Sequence, residues 1–232
     1  KGLSGLQNIQ LSPETPIKVM LYQKAKGWED AFERVGTPAA VEYKYDGFRV
    51  QAHGKDGNVK LFTRRLEEVT KQFPEVINWI KQDIQSNDFI IDGEIIGISK
   101  QGKFLPFQNI SQRIKRKHEI EKMVKDLPVV VRWFDLMELE GKNYLKEPYS
   151  ERRNALAGII KENDNFKAAE QIITDDIATG VTFYEESIAK GNEGVMVKKL
   201  DAPYKPGSRV GYGVKIKSTM DPLDLVIVGA EW

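Results

Sequence analysis

The chain has 232 residues, 41% of them hydrophobic and 30% charged, the composition of a globular domain long enough to bury a real core. Its 35 basic and 34 acidic residues leave a net charge of +1, so no global basic field draws it to a polyanion and any such site must come from local clustering. With no cysteine and two histidines, disulfides, thiolate chemistry and a multi-histidine metal centre are excluded, and the lack of thiols suits a reducing compartment.

In chain order, "KGLSGLQNIQL" lacks the apolar core of a signal peptide, and "LSPETPIKVML" is an extended, proline-punctuated lead-in. Trp28, Ala31, Phe32 and Val35 recur at helical spacing, with Gly36 as the stop. Ala40 to Arg65 reads as a β-hairpin turning at Lys55-Asp56-Gly57-Asn58, with Lys44, Asp46 and Arg49 along its first strand. Its register is expected to bring Arg64 back towards Lys44. Val76, Ile77, Ile80 and Ile84 mark an amphipathic helix with Pro74 near its start. "DFIIDGEIIGIS" is strand-like, Arg113 to Asp126 a charged, solvated helix, and "PVVVRWFDLMEL" a strong strand closed by the turn Glu140–Asn143. Ser150 is expected to cap a helix burying Leu156, Ile159 and Ile160, and a further helix covers Ile177 to Ala189. The remainder, "EGVMVKKL", "YGVKIKS" and "DLVIVGAEW", is strands. Short hairpin connections favour an α+β fold with mainly antiparallel sheets. No apolar run reaches the roughly 20 residues of a bilayer span, so a cytoplasmic protein without membrane contact is expected.

Neither GxxxxGK[ST] nor GxGxxG occurs, which removes the P-loop and Rossmann routes to nucleotide binding. Charged residues stand on strands instead. Alternation puts Glu42, Lys44 and Asp46 on one face with Tyr43 and Tyr45 opposite, and Lys215 and Lys217 on one face of "VKIKS". Glu94 interrupts an isoleucine-rich strand. For each pair taken alone a solvated face is the commoner reading. His53, beside the hairpin turn, is expected at the surface, and "ERRNAL" lies at a helix start, where nothing in the spacing demands a contact to DNA phosphate.

Taken together, "EYKYDGFR", "LFTRR", "DGEII", "FDLMELEGKNYL", "EGVMVKKLDAPYKPGSR" and "VKIKS" resemble, in order, the motifs of the covalent nucleotidyltransferases. The likeness is strongest to ATP-dependent DNA ligases of the archaeal and eukaryotic type. The resemblance implies the covalent-nucleotidyltransferase, ATP-grasp-like fold, with antiparallel sheets flanked by helices around an ATP cleft. It implies that Lys44 attacks the α-phosphate of ATP and carries AMP covalently. Glu42, Phe134 and Met196 would surround the adenine, and Arg49 and Glu94 the ribose and phosphate side. Arg64, Arg209, Lys215 and Lys217 would line the phosphate path, and Glu94 and Glu193 would help hold Mg²⁺. The attacking lysine must be neutral, and its ordinary pKa near ~10.4 calls for nearby cations or burial; Arg49, Arg64, Lys215 and Lys217 are the expected cations.

Further expectations follow from the resemblance. Nicked double-stranded DNA is the partner of the full enzyme, a sliding clamp acts through other regions, and the chain is a monomer. Residues 1–220 form the adenylation domain and 221–232 lead towards an OB-fold, with both the OB-fold and an N-terminal DNA-binding domain outside this chain. The fragment is expected to adenylate itself slowly and to seal nicks weakly or not at all. RNA ligase or capping guanylyltransferase is the alternative within the class, and a catalytically silent nucleotide- or partner-binding domain the alternative outside it. One departure is Gly213, where the family often has an aromatic residue.

Overall fold

A computed structural model describes residue 11 and residues 15–116 and 118–218. The strand expected in "DLVIVGAEW" lies outside the described residues. Two sheets make up the fold. The first has the order β1 (Leu21–Lys24), β12 (Arg209–Lys217), β11 (Gly194–Lys199), β2 (Ala39–Lys44) and β10 (Gln171–Thr174). The second runs β4 (Asn58–Thr63), β3 (Phe48–Lys55), β5 (Phe89–Ile98), β7 (Val129–Leu139) and β8 (Lys142–Asn143), with β6 (Phe104–Leu105) on β5 and β9 (Phe166–Ala168) on β7. Pairing is antiparallel except β1 with β12 and β7 with β9.

Alternation assigns the faces. In the first sheet Val41, Tyr43, Val195, Val197 and Val214 form a core with Ala31, Phe32 and Val35 of α1 (Trp28–Val35) and Phe183 of α6 (Ile177–Ala189). The opposite face holds Glu42, Lys44, Met196, Lys198, Lys215 and Lys217. In the second sheet Val50, Ala52, Ile91, Ile95, Val131 and Trp133 pack on Val76 and Ile80 of α2 (Pro74–Asp83), Ile110 of α3 (Phe107–Lys115) and Leu156 of α5 (Tyr149–Ile159). Among the described residues no helix is long and apolar enough to cross a membrane.

Several expectations change. The hairpin is real only from Phe48 to Thr63, where Asp56 and Gly57 take the positive φ that a two-residue turn of this twist requires. Its supposed first half is split: β2 ends at Lys44 in one sheet, and β3 starts at Phe48 in the other. Tyr45, Asp46 and Gly47 are therefore the crossover between sheets, and Asp46 is not on a strand face. A Cβ at Gly47 would overlap the Ile95 carbonyl, so only glycine lets the crossover pass this close to β5.

The expected charged helix from Arg113 is two helices, α3 and α4 (Ile120–Asp126), because Arg116 is extended and Glu119 takes a left-handed φ of 55°. Nor is Arg113 solvated. It is 1% exposed, ion-paired to Glu75 at 2.6 Å, stacked over Phe73, and donates to the Leu127 and Gln72 carbonyls. His53 is buried against Phe62 and within 3.2 Å of Gln51 Oε1. Ser150 is inside the first turn of α5, whose N-cap is Pro148 with no side-chain cap. Arg152 is held by Asp135 at 2.7 Å within the protein, so the "ERRNAL" arginine at that position is structural.

Candidate active site

Register on the first sheet turns separate motifs into rows. Gln171, Glu42, Met196 and Lys215 are successive cross-strand neighbours on β10, β2, β11 and β12. The next row towards the crossover is Lys44, Gly194 and Lys217. Residues more than 100 positions apart in the chain thus stand side by side on one face.

The second sheet supplies the facing wall. Arg49 on β3 pairs with Glu94 on β5. Phe134 reaches the cleft through an irregularity: Asp92 pairs with Asp135 but Gly93 pairs with Trp133, leaving Phe134 as the extra residue of a bulge in β7. A bulge interrupts strict alternation and re-aims a side chain. Trp133 can therefore stay in the core and Asp135 can hold Arg152, while Phe134 faces the opening.

Between the walls is a cleft of about 1450 Å³. All eleven residues expected to act on nucleotide or metal line it: Lys44, Glu42, Arg49, Arg64, Glu94, Phe134, Glu193, Met196, Arg209, Lys215 and Lys217. Arg64 and Arg209 are exposed at its rim. Residues not foreseen also line it, notably Lys198, Arg65 and, from α3, Phe107, Gln108, Ser111 and Lys115. α3 stands there because its Arg113 is anchored in the core and its first backbone N–H, at Phe107, reaches Asp46.

The nearest charge to Lys44 is a carboxylate rather than one of the expected cations. Its ammonium is 2.8 Å from Glu193 Oε2, and Lys217 pairs with the same oxygen. The Glu193 backbone N–H also donates to the Lys44 carbonyl at 2.8 Å, so strand geometry sets the pair. Burial works to raise the Glu193 carboxyl, but the Lys217 and Lys44 ammonium groups outweigh it and hold it below its ordinary range. Among the described residues Lys215 has no carboxylate within ion-pair distance, and burial followed by Lys217 and Lys44 lowers its pKa. Burial, reinforced by Glu193, raises Asp46. Glu94 is pushed up to about 7 by burial, against the pull of Lys44 and Arg49 and with the push of Glu193 and Asp46.

Arg49 is committed to the protein as much as to the cleft. It pairs with Asp92 at 2.5 Å, donates to the Met20 carbonyl at 2.7 Å and lies 5.3 Å from the Phe134 ring centre. Tyr204 bonds the same Asp92 oxygen at 2.7 Å. Burial disfavours the Arg49 charge, but Asp92 more than restores it. Glu42 is buried and bonded by Lys198, Tyr149 and Gln171. Tyr149 and Gln171 carry no local motif, and only the fold could reveal them. At Gly213, the Tyr22 ring of β1 fills the space where a side chain would stand, which supplies from another strand the aromatic that this position lacks.

No group of three or more metal-ligating side chains is clustered among the described residues. Glu94 and Glu193 offer two carboxylates. That donor set fits Mg²⁺, which takes one or two carboxylates and completes its shell with waters and phosphate oxygens.

Residues 19–217 match the family model described as the ATP dependent DNA ligase domain. A DNA ligase of Nanoarchaeum equitans is 48% identical over 234 residues, covering 100% of this chain and 41% of the relative. A DNA ligase of Methanopyrus kandleri is 40% identical over 234 residues, covering 100% of this chain and 42% of the relative. The chain thus spans about two-fifths of the curated relatives it matches. Among solved structures, the ligase domain of LigD from M. tuberculosis superposes with a TM-score of 0.64 at 25% identity, covering 87% of this chain and 60% of that one. The Chlorella virus DNA ligase–adenylate does so with a TM-score of 0.61 at 18% identity, covering 86% and 68%, and is a likeness of fold.

Proposed function

Because this chain belongs to the ATP-dependent DNA ligase domain family, we propose that its cleft performs the adenylation step of that chemistry, with Lys44 as nucleophile. The Lys44 amine attacks the α-phosphorus of ATP; the P–N bond forms as the bond to the β-phosphate oxygen breaks, and pyrophosphate leaves with the electron pair. The observation that carries this reading is the Lys44–Glu193–Lys217 cluster. It lines a cleft that also presents Phe134 and Met196 and the cations Arg64, Arg209 and Lys215. Attack requires the neutral amine, so Lys44, ion-paired to Glu193 at 2.8 Å, sheds its proton first.

Phe134 and Met196 suit the two faces of adenine, with Glu42 at its edge and Arg49 on the ribose side. Lys215, Lys217, Arg64 and Arg209 offset charge on the phosphates as it shifts. Mg²⁺ would be held by Glu94 and Glu193; bound there, it neutralises phosphate charge and fixes its orientation. The AMP acceptor is the 5′-phosphate at a nick in duplex DNA, and the name DNA ligase carried by the relatives supports this. DNA as substrate brings with it an intracellular setting. The match over 19–217 supports residues 1–220 as the nucleotidyltransferase unit; we take it as a monomer, with any sliding-clamp contact made outside it.

Incubation with α-labelled ATP and Mg²⁺, followed by mass spectrometry, tests the reading. One AMP on Lys44 is expected, and Lys44→Ala is expected to remove all covalent label while leaving the fold intact. Label that persists in the Lys44→Ala protein would refute the assignment.

A further inference from the structure

Segments 21–44 and 171–217 supply the strands of the first sheet, and segment 48–168 those of the second. Among the described residues the chain therefore passes between the sheets twice, at residues 45–47 and at residues 169–170. The two passages are bonded to each other. The Tyr45 hydroxyl donates to Glu170 Oε2 and accepts from the Glu170 backbone N–H at 3.1 Å. One residue before Lys44, the Tyr43 N–H donates to the Glu170 carbonyl at 3.2 Å. Tyr45 is buried, and a buried hydroxyl needs such partners. The second sheet also holds Glu170: Lys167 of β9 lies 3.1 Å from Oε1, and Arg132 of β7 lies 3.7 Å from Oε2. Burial works to raise the Glu170 carboxyl, but the Tyr45 hydrogen bond, Arg132 and Lys167 outweigh it and keep it below its ordinary range. The acceptor is thus ionised and the bond charge-assisted. Arg153, the second arginine of "ERRNAL", donates to the Ala169 carbonyl at 2.5 Å and to the Trp133 carbonyl at 3.3 Å, which ties the second passage to β7.

We propose that Tyr45 and Glu170 form a clasp between the two passages that fixes the angle between the sheets and thereby sets the approach of Lys44 to the nucleotide. Lys44 stands on the first sheet, whereas Arg49, Glu94 and Phe134, three of the groups proposed to hold ATP, stand on the second. Attack therefore brings together a nucleophile and an electrophile carried by different sheets, and a misplacement of about 1 Å is enough to cost on the order of 100-fold in rate. A bond between the two passages acts at the hinge, where a small displacement becomes a larger one across the cleft. Both are positioning residues. Glu170 is outside the cleft lining, and the Tyr45 ring packs edge-on against Tyr43 and Phe104, with ring centres 6.2 and 6.0 Å away. The inference rests on the proposed function of the cleft, since it concerns the geometry of attack by Lys44 on ATP.

The chain has no cysteine, so spin labels can be attached to the full chain through Lys60→Cys on β4 and Lys199→Cys on β11, exposed positions on the two sheets outside the cleft lining. Pulsed electron spin resonance then reads the distribution of inter-sheet distances, and single-turnover labelling with α-labelled ATP reads the chemistry. Tyr45→Phe, which keeps the ring, is expected to broaden the distance distribution of the nucleotide-free chain. It should lower the labelling rate at saturating ATP on the order of 10-fold, with less than about a threefold change in the ATP concentration for half-maximal rate. Glu170→Ala should do the same, and the double variant should be no slower than the singles, because all three remove one bond. Glu170→Gln, which keeps a weaker acceptor, should fall between. A role in stability alone would lower the denaturation midpoint but leave the folded chain's distances and rate as they were. Either readout unchanged in folded Tyr45→Phe protein, or additive losses in the double variant, overturns the inference while leaving Lys44 adenylation standing. If Tyr45→Phe does not fold, Glu170→Gln is judged by the same two readouts. Should wild-type protein not label at all, the proposed function fails, and the distance distribution decides the clasp by itself, with an unchanged width overturning it.

Discussion

At the scale of single residues, Glu94 carries the clearest trade between stability and function. Its carboxyl titrates at about 7 against an ordinary value of 4.5. Between these values the folded chain keeps a proton that the unfolded chain has lost, so this group's contribution is most favourable below the unfolded pKa and is lost as pH rises through the folded one. The shift corresponds to roughly 3 kcal/mol at most. Glu94→Gln is therefore expected to stabilise the protein by up to about that amount at pH 8 and by nothing at pH 4. Urea unfolding of both proteins at the two pH values checks this, since their difference cancels other titrating groups. The same substitution should cut Mg²⁺-dependent labelling, and wild-type labelling should decline as pH falls below about 7. The identity of the cleft residues was legible from motifs, but their charge state was not. Lys44 has a carboxylate as its nearest charged partner, and His53 is in the interior, because both depend on neighbours far along the chain.

At the scale of elements, the crossover after Lys44 and the helix α3 are linked. Gly47→Ala would drive a methyl group into the Ile95 carbonyl. It is expected to destabilise by about 3 kcal/mol, the upper part of the range for overpacking, and to lower labelling even where the fold survives, because Lys44 ends the strand that the crossover anchors. Thermal unfolding and labelling of the purified variant measure both effects. Arg113→Ala should cost about 3–5 kcal/mol, since it leaves Glu75 buried without its charge partner. It should also loosen the α3 wall of the cleft, which denaturant unfolding and amide exchange at Phe107–Lys115 would report. Periodicity identified the helices at Trp28–Val35 and Ile177–Ala189 and the Ile- and Val-rich strands. It failed at three places where a tertiary partner overrides the local pattern. Arg113 looks solvated until Glu75 and two carbonyls meet it, Ser150 looks like a cap but sits in the first turn, and Phe134 escapes alternation through a bulge.

At the scale of the whole molecule, the cleft exists because two sheets, each with its own helix-covered core, are joined by a three-residue crossover next to Lys44. A nucleotide held between Met196 on one sheet and Phe134 on the other would tie the two together. Saturating ATP at about 100 times its Kd is expected to add ~2.7 kcal/mol of stability. Amide exchange should slow on β2 and β11 and on β7 together, whereas slowing confined to one sheet would place the nucleotide elsewhere. From the sequence alone came the family, the α+β class and the inventory of reactive side chains, because each motif is a short local pattern that survives without its neighbours. The tertiary structure alone decided that Lys44 ends a strand of the first sheet and Asp46 lies in the crossover, that Glu193 and Lys217 meet at Lys44, and that Lys198, Tyr149 and Gln171 converge on Glu42. The contacts to Lys44 and Glu42 span more than 100 residues of chain, and no local pattern encodes register between distant strands.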